Sequence, residues 1–230
     1  MLSFLLGIAR RVMARLERRR VAQRWATLRE RGMHIGANVW LPQSTWIDPS
    51  HCFLISIGDN CGFGDGCLIL AHDAQMDEFL DAAKVGRVTI HESCHLGART
   101  VVLPGVEIGP RTIVGAGSVV SRSLPPDTVC SGNPAKVICT LEEYLARHRR
   151  RLAERPSFDY LRYDIRALTP ERRAELMRAT EDGVAYITGG HSAELRGQGG
   201  TPRTPTVVAS GQSVEGVAPG TPVRAPIDRR

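Results

Sequence analysis

The chain has 230 residues, of which 42% are hydrophobic and 5% aromatic, and a net charge of +6. That length accommodates one large domain or two small ones. Residues 1–31 carry nine Arg against two acidic residues, and the remainder carries 21 basic against 22 acidic residues, so the excess charge marks a basic arm and argues against a nucleic-acid-binding fold.

Residues 3 to about 30 predict an amphipathic helix. Leu5, Ile8, Ala9, Val12, Leu16 and Leu28 recur at three- and four-residue steps, and seven Arg fill positions between them. Such a helix either caps the body that follows or lies on an anionic lipid surface, because apolar and Arg-rich faces coexist. Its start, MLSFLLGIA, is too short to span a bilayer and has no leading positive region or cleavage site. We therefore expect a cytoplasmic chain, with peripheral contact at the inner membrane face through residues 1–31 as the second reading of the arm.

From Ile35 the chain falls into sixes, clearest from Ile90 to Val120: IHESCH, LGARTV, VLPGVE, IGPRTI, VGAGSV. A branched aliphatic opens each unit, and Cys94, Thr100, Val106, Thr112 and Ser118 stand four residues later. Six matches neither a helix at 3.6 nor a lone strand at two. It fits three short strands per triangular coil, the parallel β-helix, for which hexapeptide repeats are the signature. The register slips by four between Phe53 and Ile57. It breaks again between Ile69 and Ile90, where residues 73–86 are read as a loop leaving the coil wall, a common carrier of binding function. Of six Cys, Cys61, Cys67 and Cys94 occupy the small fifth position. With no CxxC pair, all are expected as free thiols in a reducing compartment.

After Val120, Pro125–Pro126 and Asn133–Pro134 force turns. Thr140 and Glu143 then form a capping box opening a helix toward Pro156. A second helix has Thr169 as cap, Pro170 at its first position and Gly183 past its end. Both are read as capping the coil. The domain plan is a basic helix over 1–31, a β-helix domain over 32–139, C-terminal helices over 140–188, and a disordered tail over 189–230, which is rich in Gly, Pro, Thr and Ser.

The composite VLPGVEIG, IVGAGSVV, LPPDTV and GNPAKVI resembles the hexapeptide-repeat acyltransferases, nearest the maltose, galactoside and polysaccharide O-acetyltransferase branch. The resemblance covers about residues 35–138. It implies a mainly β, left-handed parallel β-helix, a homotrimer with active sites between subunits, and acetyl-CoA as co-substrate with no tightly bound cofactor. It places the catalytic base at His72. It also assigns coenzyme contacts to Ala98, Gly115, Ala116, Gly117, Arg122 and Lys136. Departing from the family pattern, His95 stands where relatives often carry Trp, and His95 and Asp73 are read as acceptor contacts. Asp73 is a candidate to orient His72. The acceptor implied is a hydroxyl of a sugar or polysaccharide precursor; the alternative is N-acylation of an amino sugar or nucleotide sugar.

Two other classes are weighed. A γ-carbonic-anhydrase-like zinc enzyme would use His72, His91 and His95, but HESCH lacks that family's ligand spacing, so no metal ligand is assigned. A non-catalytic trimeric scaffold would leave His72 and its loop without a task.

Overall fold

The computed structural model describes residues 20–165 and 168–190. The chain divides into two units, Met1–Glu154 and Arg155–Arg230. Residues 1–19 of the expected arm and 191–230 of the expected tail lie outside the described residues. Among those described, no helix is long and apolar enough to cross a membrane.

The first unit is a β-helix of three parallel sheets. One contains β1 (His34–Ile35), β3 (Ile55–Ile57), β8 (Val88–Ile90) and β11 (Glu107–Ile108). A second contains β2 (Trp46–Ile47), β5 (Leu68–Ile69), β10 (Val101–Val102) and β13 (Val119–Val120). The third contains β4 (Gly62–Phe63), β9 (His95–Leu96), β12 (Ile113–Val114), β14 (Thr128–Ser131) and β15 (Lys136–Thr140), the last pair antiparallel.

The register shows why the sixes produce this shape. Ile35, Ile57, Ile90 and Ile108 form one column across their sheet. Ile47, Ile69, Val102 and Val120 form the second, and Phe63, Leu96, Val114 and Cys130 the third. All but the terminal Ile35 are buried, and each such aliphatic side chain contributes about 1.5–3 kcal/mol. The fifth positions fill the corners. Cys61, Cys67, Cys94 and Val106 are buried there, and the buried hydroxyls of Thr100, Thr112 and Ser118 donate to the carbonyls of Gly97, Pro125 and Gly115, so they carry no unpaired polar atom into the core.

Helix α1 covers residues 20–30 and closes the first coil. Leu28 joins the core, and the Arg24 guanidinium donates to the carbonyls of Gln43 and Thr45 at 2.9 and 2.6 Å. The segment expected as a plain loop is an antiparallel hairpin of β6 (His72–Asp73) and β7 (Lys84–Val85), tipped by the one-turn helix α2 (Asp77–Leu80). At the far end, α3 (Leu141–Glu154) starts from a capping box in which Glu143 N–H donates to Thr140 Oγ1 and Thr140 N–H to the Glu143 carboxylate.

The second unit pairs β16 (Ser157–Asp159) with β17 (Tyr186–Thr188) in parallel. Its helix α4 (Pro170–Ala179) is capped by Thr169 Oγ1, which accepts from Arg172 N–H. This helix stops at Ala179, short of Gly183, because Thr180 leaves helical geometry.

The coils stack so closely that some corners admit no side chain. A Cβ at Gly97 would lie 2.4 Å from the backbone nitrogen of Ala116, whereas at Gly105 it would meet nothing within 4 Å, though φ there is +85°. Gly97→Ala should cost at least about 2 kcal/mol through backbone displacement, and Gly105→Ala about 1–2 kcal/mol through left-handed strain alone. Urea midpoints of the two variants check this; a Gly97→Ala loss smaller than that of Gly105→Ala would contradict the stacking account.

Candidate active site

The corner joining the β4-β9-β12 sheet to the β5-β10-β13 sheet is built from small residues. On successive coils it reads Gly64-Asp65-Gly66, Gly97-Ala98-Arg99 and Gly115-Ala116-Gly117. The third member always has positive φ, at +71°, +60° and +70°. Gly117 N–H donates to Ala98 C=O at 2.8 Å, which stacks the two alanines into one exposed edge.

Beside this edge, the outer face of the β4-β9-β12 sheet forms an open groove of about 460 Å³, walled by Trp40, His95, Ile113, Gly115 and Ala116 among others. The structure therefore brings His95, Gly115 and Ala116 together, with Ala98 and Gly117 on the same corner. It does not bring Arg122 or Lys136 into the groove lining. Both are exposed, Arg122 just after β13 and Lys136 at the start of β15. His72 and Asp73 are not part of this lining either.

His72 lies at a different corner, where the β2-β5-β10 sheet hands over to the β1-β3-β8 sheet. Both irregularities in the six-residue register fall here. Ile47 and Ile69 stack on each other, and each is followed by extra residues: a 3-10 turn at Cys52–Leu54 on the first coil and the hairpin on the second. Asp48 and His72 consequently meet, with Asp48 Oδ2 at 2.5 Å from His72 Nδ1. Asp48 is fully buried. Its Oδ1 accepts from Ser50 N–H, Ser50 Oγ–H and His51 N–H, and its Oδ2 also accepts from Ala71 N–H.

Burial on its own would raise the Asp48 pKa. The hydrogen bonds from His72, from the Ser50 hydroxyl and from the His51 and Ser50 amides outweigh it and hold the carboxyl at about 2. An ionised carboxylate only accepts, so His72 carries a proton on Nδ1, and the neutral form of the ring then presents Nε2 as a lone pair. The His72 side chain is one-third exposed. It is thus a fixed imidazole, with one nitrogen anchored in the wall and the ring open to solvent.

Asp73 does not orient His72. Its Oδ1 accepts from Gln75 N–H at 3.0 Å, closing the turn into the hairpin. The orienting carboxylate comes from 24 positions earlier, and sequence adjacency could not have found it. His51 was also missed. Its ring lies 4.7 Å from that of His72, centroid to centroid. The signal available in the sequence was the four-residue slip after IDPSHC, which marks a corner insertion.

His91 and His95 stand elsewhere: His91 Nε2 pairs with Glu107 Oε1 at 2.6 Å at the edge of the β8-β11 sheet, and His95 faces the groove. Within one chain, the triad weighed for a zinc enzyme does not assemble. Among the described residues, the group able to converge on an ion is Asp48, His51 and His72.

The lowered Asp48 pKa has a sign in stability. Its value is about 2 folded and near 3.9 unfolded, so the carboxylate stabilises the fold above the unfolded value by roughly 2 kcal/mol, and that contribution is lost as pH falls from about 4 toward 2. Acid unfolding of the native chain and of Asp48→Asn should show their stability difference shrinking across this window. A difference constant from pH 6 to pH 2 would contradict it.

Residues 87–122 match the family described as bacterial transferase hexapeptide (six repeats). The chain is 38% identical over 93 residues to YvoF of Bacillus subtilis (strain 168), provisionally named an acetyltransferase, and the match covers 40% of this chain and 52% of that protein. The chain thus spans about half the length of that relative. A solved hexapeptide-repeat acetyltransferase of Vibrio cholerae O1 biovar eltor, complexed with acetyl coenzyme A, is 23% identical, with TM-score 0.41 over 52% of this chain and 77% of its own. A maltose O-acetyltransferase of Clostridium difficile 630 is 24% identical, with TM-score 0.42 over 49% and 72%. The repeats, the three aliphatic columns and the family match agree on the fold: residues 87–122 match the bacterial transferase hexapeptide family, and the coil that contains them is a left-handed parallel β-helix of the hexapeptide-repeat class.

Proposed function

We propose that the protein is an acetyl-CoA-dependent acyltransferase that moves an acetyl group to a hydroxyl of a sugar or polysaccharide precursor, with His72 as general base. The observation that carries this is the buried Asp48 carboxylate held against His72 Nδ1 at 2.5 Å. A hydroxyl attacks a thioester slowly unless its proton leaves during attack, and an anchored neutral imidazole suits that step at neutral pH. The acceptor oxygen bonds to the thioester carbon as Nε2 takes its proton. Collapse of the tetrahedral intermediate breaks the carbon–sulfur bond, and the imidazolium returns the proton to the departing thiolate. Asp48 is the positioning residue: it fixes the tautomer and steadies the imidazolium. The names of YvoF and the other relatives support the acetyl-transfer part of this reading.

In this reading the coenzyme arm lies along the Ala98–Ala116 edge, where a larger side chain would stand in its way, and the acceptor approaches His72 from the hairpin side. These two corners are the ends of one side of the triangle, on the order of 15–20 Å apart for six residues of extended chain. A single coil therefore does not place His72 against an acyl group on its own alanine edge. A homotrimer that sets the hairpin corner of one copy beside the alanine edge of the next would complete the site. The outward residues Trp46, Leu68, Val101 and Val119 form an apolar stripe between the corners that such packing would cover. For residues 1–31, peripheral contact with an anionic membrane stays the second reading, beside capping of the first coil.

Thiol release from acetyl-CoA, screened over sugars, amino sugars, sugar nucleotides and lipid-linked oligosaccharides, tests the reading and separates hydroxyl from amine acceptors. His72→Ala should lower kcat by about 10²–10⁴-fold. Asp48→Asn should lower kcat with little change in the KM for acetyl-CoA, and Asp48→Glu should recover part of the loss. Full turnover by His72→Ala would remove it as the base, and a KM-only effect at Asp48 would remove its positioning role. Acetyl-CoA at 100 times its Kd should stabilise the fold by about 2.7 kcal/mol; no thermal shift at saturating coenzyme would favour a non-catalytic scaffold.

A further inference from the structure

We propose that Asp48, His51 and His72 form a binding site for one divalent transition-metal ion of the zinc class. On the reading of His72 given above, occupancy of that site switches the base off.

The starting observation is an orphaned nitrogen. His51 Nδ1 is buried from solvent and has no hydrogen-bond partner. It points toward Asp48 Oδ2 from 3.7 Å, too far for a hydrogen bond. A buried ring nitrogen without a partner costs free energy, and such groups in native folds call for an explanation such as a bound ion. Asp48 Oδ2 is also the atom that meets His72 Nδ1. One ligand atom from each of the three residues lies within 4.8 Å of the other two.

Zinc bonds of about 2.0–2.2 Å to nitrogen and oxygen place the ligand atoms of a tetrahedral ion roughly 3.3 Å apart. The His51–Asp48 separation is already near that value. The His72–Asp48 contact must open by somewhat under an ångström, which a one-third-exposed imidazole can do by rotating. Two imidazoles and one carboxylate suit Zn²⁺, Co²⁺, Ni²⁺ or Cu²⁺ better than Mg²⁺ or Ca²⁺. The carboxylate is held in place by Ser50 and by the amides of His51 and Ala71, the kind of outer layer that orients metal ligands.

Metal binding and base catalysis exclude each other through the tautomer. With Asp48 accepting from Nδ1–H, Nε2 has the lone pair that takes the acceptor's proton. A metal needs the Nδ1 lone pair. The neutral ring must then carry its proton on Nε2, where it can donate but not accept.

The test is a Co²⁺ titration of the purified full chain, followed by its visible absorbance, with reductant-free buffer and the thiols intact. One equivalent should give the ligand-field bands of a four- or five-coordinate ion and no thiolate charge-transfer band. His51→Ala and His51→Gln should each weaken binding about tenfold or more, while Cys139→Ser should leave it unchanged. X-ray absorption of the wild-type chain loaded with one equivalent of Zn²⁺ should show imidazole and oxygen neighbours without sulfur, and decides the matter even if a His51 variant misfolds. Sulfur ligation, or unchanged affinity in both His51 variants, overturns the proposal. Imidazole-ligated metal in a chain that transfers no acetyl group would keep the site and remove the enzyme reading. Active enzyme that takes up no imidazole-bound metal would do the reverse.

Discussion

Each coil must place its aliphatic residues on those of the coil beneath, and the remaining features of the first unit follow from that constraint. Val102 on Val120, Leu96 on Val114 and Ile90 on Ile108 repeat at eighteen residues. A strand that shifted by one residue would turn a buried side chain outward and a polar one inward. The walls therefore tolerate no inserted residue. Extra chain can leave only at a corner, where the register is already interrupted by a turn. The same closeness explains the small edge at Gly97, Ala98, Gly115 and Ala116: backbone of one coil lies against backbone of the next there.

The Asp48–His72 pair arises from the same rule. Its two residues come from different coils, and both follow a residue of the Ile47–Ile69 column. Each coil spends its surplus residues at that shared corner, one as a short 3-10 turn and one as a hairpin. Two departures from the repeat, stacked on each other, bring a buried carboxylate and two imidazoles into one small volume, where no coil with an intact register could have placed them.

This also accounts for what could be read in advance. The columns were legible because a six-residue period constrains every position along Ile90–Val120, and the buried fifth positions followed from size alone. The free glycine-and-alanine edge was legible through the composite that ends in GNPAKVI. His72 could be singled out as a candidate, but the carboxylate that meets it could not. Asp73 was the nearest carboxylate in sequence, yet its side chain closes the hairpin turn by accepting from Gln75. Asp48 is separated by a whole coil, and only a count of where each insertion leaves the triangle would have aligned it with His72. Arg122 and Lys136 rest on the resemblance alone, and both lie outside the groove lining.

Charge and polarity differ among the three outer faces in a way that bears on assembly. The β1-β3-β8-β11 sheet turns His34, Ser56, Thr89 and Glu107 outward, a polar column suited to water. The β2-β5-β10-β13 sheet turns Trp46, Leu68, Val101 and Val119 outward, and the β4-β9-β12 sheet carries Ile113 beside the exposed Trp40. The first of these two faces offers water little polar surface, the second adds His95 to its apolar residues, and both adjoin the alanine edge. On the reading proposed here, burying them against neighbouring copies would bring the hairpin corner of one chain to the alanine edge of another. The hydrophobic cost of leaving those faces bare and the chemical need to bring His72 to a thioester then favour the same arrangement.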